Sequence, residues 1–146
     1  MELVIRSIEA KDYHMVTDLL VHHLFVMGVG GENVVPFFDK VKDDDNYLNF
    51  VALLDDEVVG FLSAVTFYSA GAAGRFLYLQ QIVVRTEHRN KGIGTEIMRY
   101  IEDYAKANGM NGIGLCSGHH RTDAHRFYER NGFSKLTQWL GKHLTP

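Results

Sequence analysis

The ten residues RFLYLQQIVV, Arg75–Val84, constrain this chain more than any other stretch. They are apolar almost without alternation, as a strand is when helices cover both faces of its sheet, and only Gln80 and Gln81 interrupt them. Two adjacent amides in such a strand need partners. Directly afterwards, HRNKGIGTEIM leads into Ile93, Ile97, Met98, Ile101, Tyr104 and Ala105, one face of a helix that Asn108 and Gly109 bring to a left-handed stop. A central strand, a glycine turn and a helix are therefore the nucleus around which the rest must fit.

The remaining pattern predicts an α/β fold with a mixed sheet in one domain spanning residues 1–146. LVIRSI reads as a short first strand. Tyr13, Val16, Leu19, Leu20 and Met27 recur at helical spacing, which predicts a helix over Lys11–Met27 broken by Gly28 to Gly31. ENVVPFFDKVKDDDN is a weaker helical segment with Pro36 near its start. YLNFVALL and VVGFLSAVTFY, separated by Asp55, Asp56 and Glu57, read as a hairpin. GIGLCS predicts a further strand, DAHRFYERNGF a short helix closed by Asn131 and Gly132, and SKLTQWLGKHL one or two final strands.

Several function classes drop out on composition. A net charge of -3 offers no basic footprint for nucleic acid or an anionic membrane. No apolar run approaches the roughly 20 residues of a membrane span. A lone cysteine, Cys116, excludes an intrachain disulfide, and MELVIRSIEAKDYHM lacks the zones of a signal peptide, so the expected location is the cytoplasm.

The glycine turn carries the chemistry. A helix N-terminus presents amides without intrahelical partners and about half a positive charge, so it can hold an anion. Glycines at 92 and 94 let the backbone curl toward a large anion, and Arg89 and Lys91 add positive charge, a combination suited to a pyrophosphate. Neither the Gly-Lys-Ser/Thr ending of a P-loop nor a dinucleotide fingerprint is present. A plain glycine turn with solvated charges has the same residues.

With AHRFYERNGF downstream, the chain resembles the GNAT family of acyl-CoA-dependent N-acetyltransferases. The family's Gln/Arg-x-x-Gly-x-Gly/Ala motif is matched by Arg89, Gly92 and Gly94, and its Phe/Leu-Tyr-Glu-x-x-Gly-Phe pattern by Phe127, Tyr128, Glu129, Gly132 and Phe133. The resemblance covers essentially the whole chain and implies a mostly antiparallel mixed sheet, helices on both faces, and a splayed cofactor cleft. It implies that the backbone of Arg89, Asn90, Lys91, Gly92, Ile93 and Gly94 holds the pyrophosphate of acetyl-CoA, with Thr95 adding its hydroxyl. It further implies that Ile82, Val83 and Val84 pair with the pantetheine arm, that a bulge at Gln80–Gln81 turns an amide toward the thioester, and that Tyr128 protonates the departing thiolate. Helix spacing alone also allows Tyr128 to be an ordinary core aromatic, the role expected of Phe127.

The expected function is transfer of acetyl from acetyl-CoA to a primary amine in a ternary complex. The alternative is a non-catalytic acyl-CoA sensor of the same fold, favoured by Gln80 and Gln81 standing where family members often have a carboxylate base. A water chain, His119, His120 and a residue near Glu32 are the remaining base candidates. Arg121 stands where many members carry asparagine, and could contact a phosphate or a substrate carboxylate. Cys116, His119, His120 and His125 do not have the spacing of a metal site, so no metal is expected, and Cys116 reads as a buried strand residue. Asp43 to Asp45 read as a solvated loop that could attract a cationic amine. HHLFVMGVGGENVVPFF carries no acceptor motif, leaving polyamines, aminoglycoside-like amines, amino acids and peptide N-termini open. A homodimer is among the assemblies that the resemblance allows.

Overall fold

Five strands, the central ones apolar on both faces, build an open sheet in the order β1-β2-β3-β4-β5. The computed structural model describes residues 2–24, 31–71, 73–117, 121–136, 139–142 and 144, and they group into two units, Met1–Leu115 and Cys116–Pro146. In the first unit the elements are β1 (Leu3–Ser7), α1 (Tyr13–His22), α2 (Val34–Val41), β2 (Tyr47–Leu54), β3 (Glu57–Ser69), β4 (Gly74–Val84), α3 (Ile93–Ala107) and β5 (Gly112–Leu115). Neighbouring strands are antiparallel except β4 and β5, which run parallel.

Side chains alternate between two covered faces. On one, Val51, Phe61 and Val83 join Val16, Leu19, Val34 and Phe38 of α1 and α2 in a buried cluster, with Phe38 edge-on to Phe61 at 5.8 Å. On the other, Phe50 meets Tyr100 and Tyr104 of α3 at 5.1 and 5.8 Å. Gly60 faces α3 so closely that a Cβ there would lie 2.8 Å from the end of the Ile97 side chain, which would have to shift.

The ends of the elements have local causes. Asp12 is 4% exposed, accepts two hydrogen bonds from the Arg6 guanidinium at 2.7 and 3.1 Å, and accepts the Glu9 amide at 2.8 Å, which ties β1 to the entrance of α1. Burial alone raises the Asp12 carboxyl, but Arg6 and the Glu9 amide outweigh it and hold the group below its ordinary range. The helix predicted to reach Met27 stops at His22; Met27 itself lies outside the described residues. At the stop, the His23 and Leu24 amides both bond the Leu19 carbonyl, and the His23 carbonyl accepts the Arg89 guanidinium. α3 ends as Asn108 and Gly109 predict, with the Met110 amide bonded to the Ala105 carbonyl and the Gly109 amide to the Lys106 carbonyl, around a left-handed Gly109.

The second unit contains α4 (Thr122–Arg130). It closes by the same device, with the Phe133 amide bonded to the Tyr128 carbonyl and the Gly132 amide to the Glu129 carbonyl. The strands expected in SKLTQWLGKHL are absent among its described residues, and Leu136, Trp139 and Leu140 are exposed. A strand needs an edge to pair with, and apolar alternation alone does not supply one.

Candidate active site

β4 is irregular where the two glutamines interrupt it. Ser63 of β3 lies opposite Gln81 while Ala64 lies opposite Leu79, so Gln80 is an extra residue, a bulge that reverses which face the odd-numbered residues of β4 occupy. The Ser63 hydroxyl donates to the Gln80 side-chain oxygen at 3.2 Å. Pairing with β5 ends at the same level, with Leu79 opposite Leu115. From Gln80 to Val84, β4 therefore has no strand partner on that side among the described residues.

Hydrogen-bond alternation fixes what this edge presents. The Arg85 amide donates to the Val59 carbonyl at 2.8 Å, which makes Val59 and Arg85 a bonded pair. In an antiparallel ladder Val83 then turns its amide and carbonyl toward β3, while Ile82 and Val84 turn theirs to the open edge. The Val84 carbonyl accepts the Arg89 side chain from that direction at 3.1 Å.

The chain next makes a 3-10 turn, Thr86–His88, and reaches α3 through Asn90 and Gly92, both left-handed with φ of 61° and 83°. Of the two glycines singled out in the sequence, Gly92 needs its conformational freedom, whereas Gly94 sits in the first turn of α3 without a positive φ. The first intrahelical bond runs from the Glu96 amide to the Gly92 carbonyl, so the amides of Ile93, Gly94 and Thr95 precede it. Lys91 and Thr95 are exposed. The Arg89 guanidinium is engaged with the carbonyls of Val84 and His23. The His23 Nδ1 in turn accepts the Thr86 amide at 3.1 Å and lies 2.8 Å from the Thr86 hydroxyl. Arg89 and His23 thereby brace the turn against the end of α1.

In the second unit, Tyr128 lies in α4 between Phe127 and Phe133, with ring centroids 5.5 and 5.9 Å away. The left-handed Gly132 folds Phe133 back onto it, which gives the Tyr-Glu-x-x-Gly-Phe spacing a local structural meaning. Burial raises the Tyr128 phenol above its ordinary value, against a smaller opposing pull from the Arg121 charge. Phe127, expected in the core, is half-buried, and α4 contains no buried residue. Cys116, expected to be buried, is exposed just past the end of β5. His119 and His120 lie outside the described residues. Glu32 and Asp43 to Asp45 are exposed, and no three metal-ligating side chains come together among the described residues.

One group is not legible in the sequence at all. Asn49 pairs with Ser63 and Ser63 with Gln81, so three polar residues form a row across β2, β3 and β4 on the face that α1 and α2 cover. Ser63 is 1% exposed, and the Asn49 side-chain oxygen is buried with no hydrogen-bond partner. Only the register brings these residues together.

The sequence profile described as the acetyltransferase (GNAT) family matches residues 15–133. YhfO of Bacillus subtilis (strain 168), named as an uncharacterized N-acetyltransferase, is 27% identical over 98 residues, covering 66% of this chain and 66% of that protein. The aminoalkylphosphonate N-acetyltransferase of Salmonella typhimurium is 32% identical over 92 residues, covering 63% of this chain and 60% of the relative. The chain thus spans no more than about two thirds of either relative's length. Among solved structures, the aminoglycoside N-acetyltransferase AAC(6')-Iy in complex with CoA superposes with a TM-score of 0.85 at 15% identity, covering 97% of this chain and 94% of the other, a likeness of fold.

Proposed function

The chain belongs to the acetyltransferase (GNAT) family, and from that premise we propose that it moves an acetyl group from acetyl-CoA to a primary amine by direct transfer in a ternary complex, residues 1–146 acting as one domain. The observation that carries this reading is the coincidence of three features on β4. The bulge at Gln80, the end of pairing with β5, and the outward-turned backbone of Ile82 and Val84 follow one another and lead into the glycine turn. The neighbour solved with CoA and the relatives named as N-acetyltransferases support the same donor and an amine acceptor.

Acetyl-CoA, when bound, supplies an acetyl group activated as a thioester. In this reading the outward-turned backbone of Ile82 and Val84 pairs with the pantetheine arm, while Val83, expected to join them, spends its amide and carbonyl on β3. The turn from Arg89 through Asn90, Lys91 and Gly92 to Ile93, Gly94 and Thr95 holds the pyrophosphate. Its amides need no side chain to do so, because a helix N-terminus favours an anion by itself. The Arg89 guanidinium contributes by bracing the turn through the carbonyls it already bonds. An amide beside the bulge stabilises negative charge developing on the carbonyl oxygen as the amine nitrogen forms its bond to carbon. As the carbon–sulfur bond breaks, the Tyr128 hydroxyl donates its proton to the thiolate, and the proton lost by the amine leaves through water. The phenol is protonated at neutral pH, and since burial makes it the weaker acid it serves first as a hydrogen-bond donor to the departing thiolate and regains from water the proton it gives up. Among the described residues no helix is long and apolar enough to cross a membrane, and we place the enzyme in the cytoplasm.

Amine-dependent release of free thiol from acetyl-CoA tests the reading. Tyr128→Phe should slow turnover on the order of 100-fold, within the usual range for losing a general acid, while acetyl-CoA affinity stays within about twofold. Equal turnover in the mutant removes Tyr128 from the acid role.

A further inference from the structure

The row formed by Asn49, Ser63 and Gln81 lies one step along the strands from the buried row Val51, Phe61 and Val83, beyond the ring of Phe38. Asn49 and Gln81 are half-buried at the margin of the helices' cover, and the Asn49 oxygen itself is closed off, so a ligand meets it as the Asn49 side chain turns outward. A buried amide oxygen with no donor is costly, and a ligand that brings an N–H removes that cost. Gln81 is also the neighbour of Ile82, whose backbone turns to the open edge, so the row ends one residue from that edge.

The rest of this face is apolar and uncharged. Of the β2, β3 and β4 residues that share it from Tyr47 to Val83, none carries a carboxylate. Beyond the polar row, Tyr47 stands edge-on to Phe37 of α2 at 6.2 Å, Tyr78 pairs in register with Val65, and Phe67 stacks on Phe76 at 6.1 Å. Aromatic faces of this kind bury an apolar body well and attract a single ammonium weakly, but the several charges of a polyamine would lose hydration there with no carboxylate on this face of the strands to pair with.

We infer that this strip is the acceptor site and that it selects a primary monoamine with an apolar or aromatic body, its nitrogen held against the Asn49 side-chain oxygen at the level of the β4 bulge. The inference rests on the acetyl-transfer reading above. The same surroundings favour the neutral amine over the ammonium, which is the form that attacks a thioester, and this compensates in part for the carboxylate base that Gln80 and Gln81 cannot provide.

The test compares thiol release with 2-phenylethylamine, spermidine, kanamycin and 2-aminoethylphosphonate, alongside the thermal midpoint with acetyl-CoA. The strip predicts that kcat/KM for 2-phenylethylamine exceeds the other three by at least about tenfold, a difference that one unpaired charge or hydrogen bond readily produces. Asn49→Leu should raise the amine KM by about tenfold or more, leave the midpoint rise with acetyl-CoA intact, and not lower the midpoint of the free protein, because it removes a polar atom that the fold leaves unpaired. Asn49→Asp, nearly isosteric, should move the preference toward spermidine. Better turnover of spermidine, kanamycin or the phosphonate by the wild type, or an unchanged amine KM in both variants, overturns the assignment. A normal midpoint rise with no thiol release from any of the four amines also overturns it. No midpoint rise at all overturns the acetyl-transfer reading, and this inference with it.

Discussion

The open edge of β4 and the start of α3 present backbone, whereas the strip on the α1–α2 face presents side chains. Ile82, Val84, Ile93, Gly94 and Thr95 offer amides and carbonyls that depend little on the side chains they carry. The glycine turn needs Gly92 at a φ of 83° and very little else. Asn49, Ser63, Gln80 and Gln81, by contrast, come together through a register set by three strands, and the role proposed for this strip depends on the identity of their side chains. A donor shared across a family suits a site made of backbone, and an acceptor that differs from member to member suits a site made of side chains. Changes at the first should alter donor affinity for every acceptor alike; changes at the second should alter the choice of acceptor.

The sharpest way to separate the two is Gly92→Asp. It sets a negative charge where the pyrophosphate is proposed to lie and strains the turn at a φ of 83°, which together correspond to a loss of acetyl-CoA affinity on the order of 1,000-fold by calorimetry. Gly92→Asn, with the same strain and no charge, should lose much less. The ranking of amines should not change at whatever activity remains. If the ranking shifts with the affinity, the two sites are not independent.

Asp12→Asn should spare both sites and strike the scaffold. Removing the charge that Arg6 and the Glu9 amide both bind should cost about 3 kcal/mol of unfolding free energy in denaturant titrations. The folded carboxyl lies below its unfolded value of 3.8, so its contribution is complete above that value and is lost as pH falls through the depressed one. The mutant's stability should therefore decline less steeply than the wild type's below pH 4. Smaller still, Gly60→Ala crowds Ile97 and the Val83 carbonyl and should cost about 2 kcal/mol through the α3 face without changing amine selectivity. At the other extreme, Asp56→Gly should stabilise by about 1 kcal/mol. The two-residue turn between Leu54 and Glu57 holds Asp55 and Asp56 at φ of 48° and 65°, where glycine is free of strain.

Legibility in the sequence follows the same division. The family resemblance implied a bulge and the Gln80–Gln81 interruption marked its place, while Asn108–Gly109 and Asn131–Gly132 marked helix stops because left-handed backbone has few residue choices. The Asn49–Ser63–Gln81 row was invisible because it joins residues from three strands, and each alone is an ordinary polar residue. The end of α1 at His22 was missed because no glycine or asparagine marks it: the His23 and Leu24 amides share the Leu19 carbonyl, and apolar periodicity does not report that. Cys116 was misjudged because β5 ends one residue before it, and boundaries are set by pairing with β4 rather than by the apolarity of GIGLCS.

The most direct test of the backbone-built donor site is the thermal unfolding midpoint against acetyl-CoA concentration, with ATP and NAD as controls, because a ligand that binds only the folded state must raise it. A saturable rise with acetyl-CoA, small or absent with the two controls and abolished in Gly92→Asp, is the predicted result. No rise at high acetyl-CoA, or an equal rise in Gly92→Asp, would contradict the account.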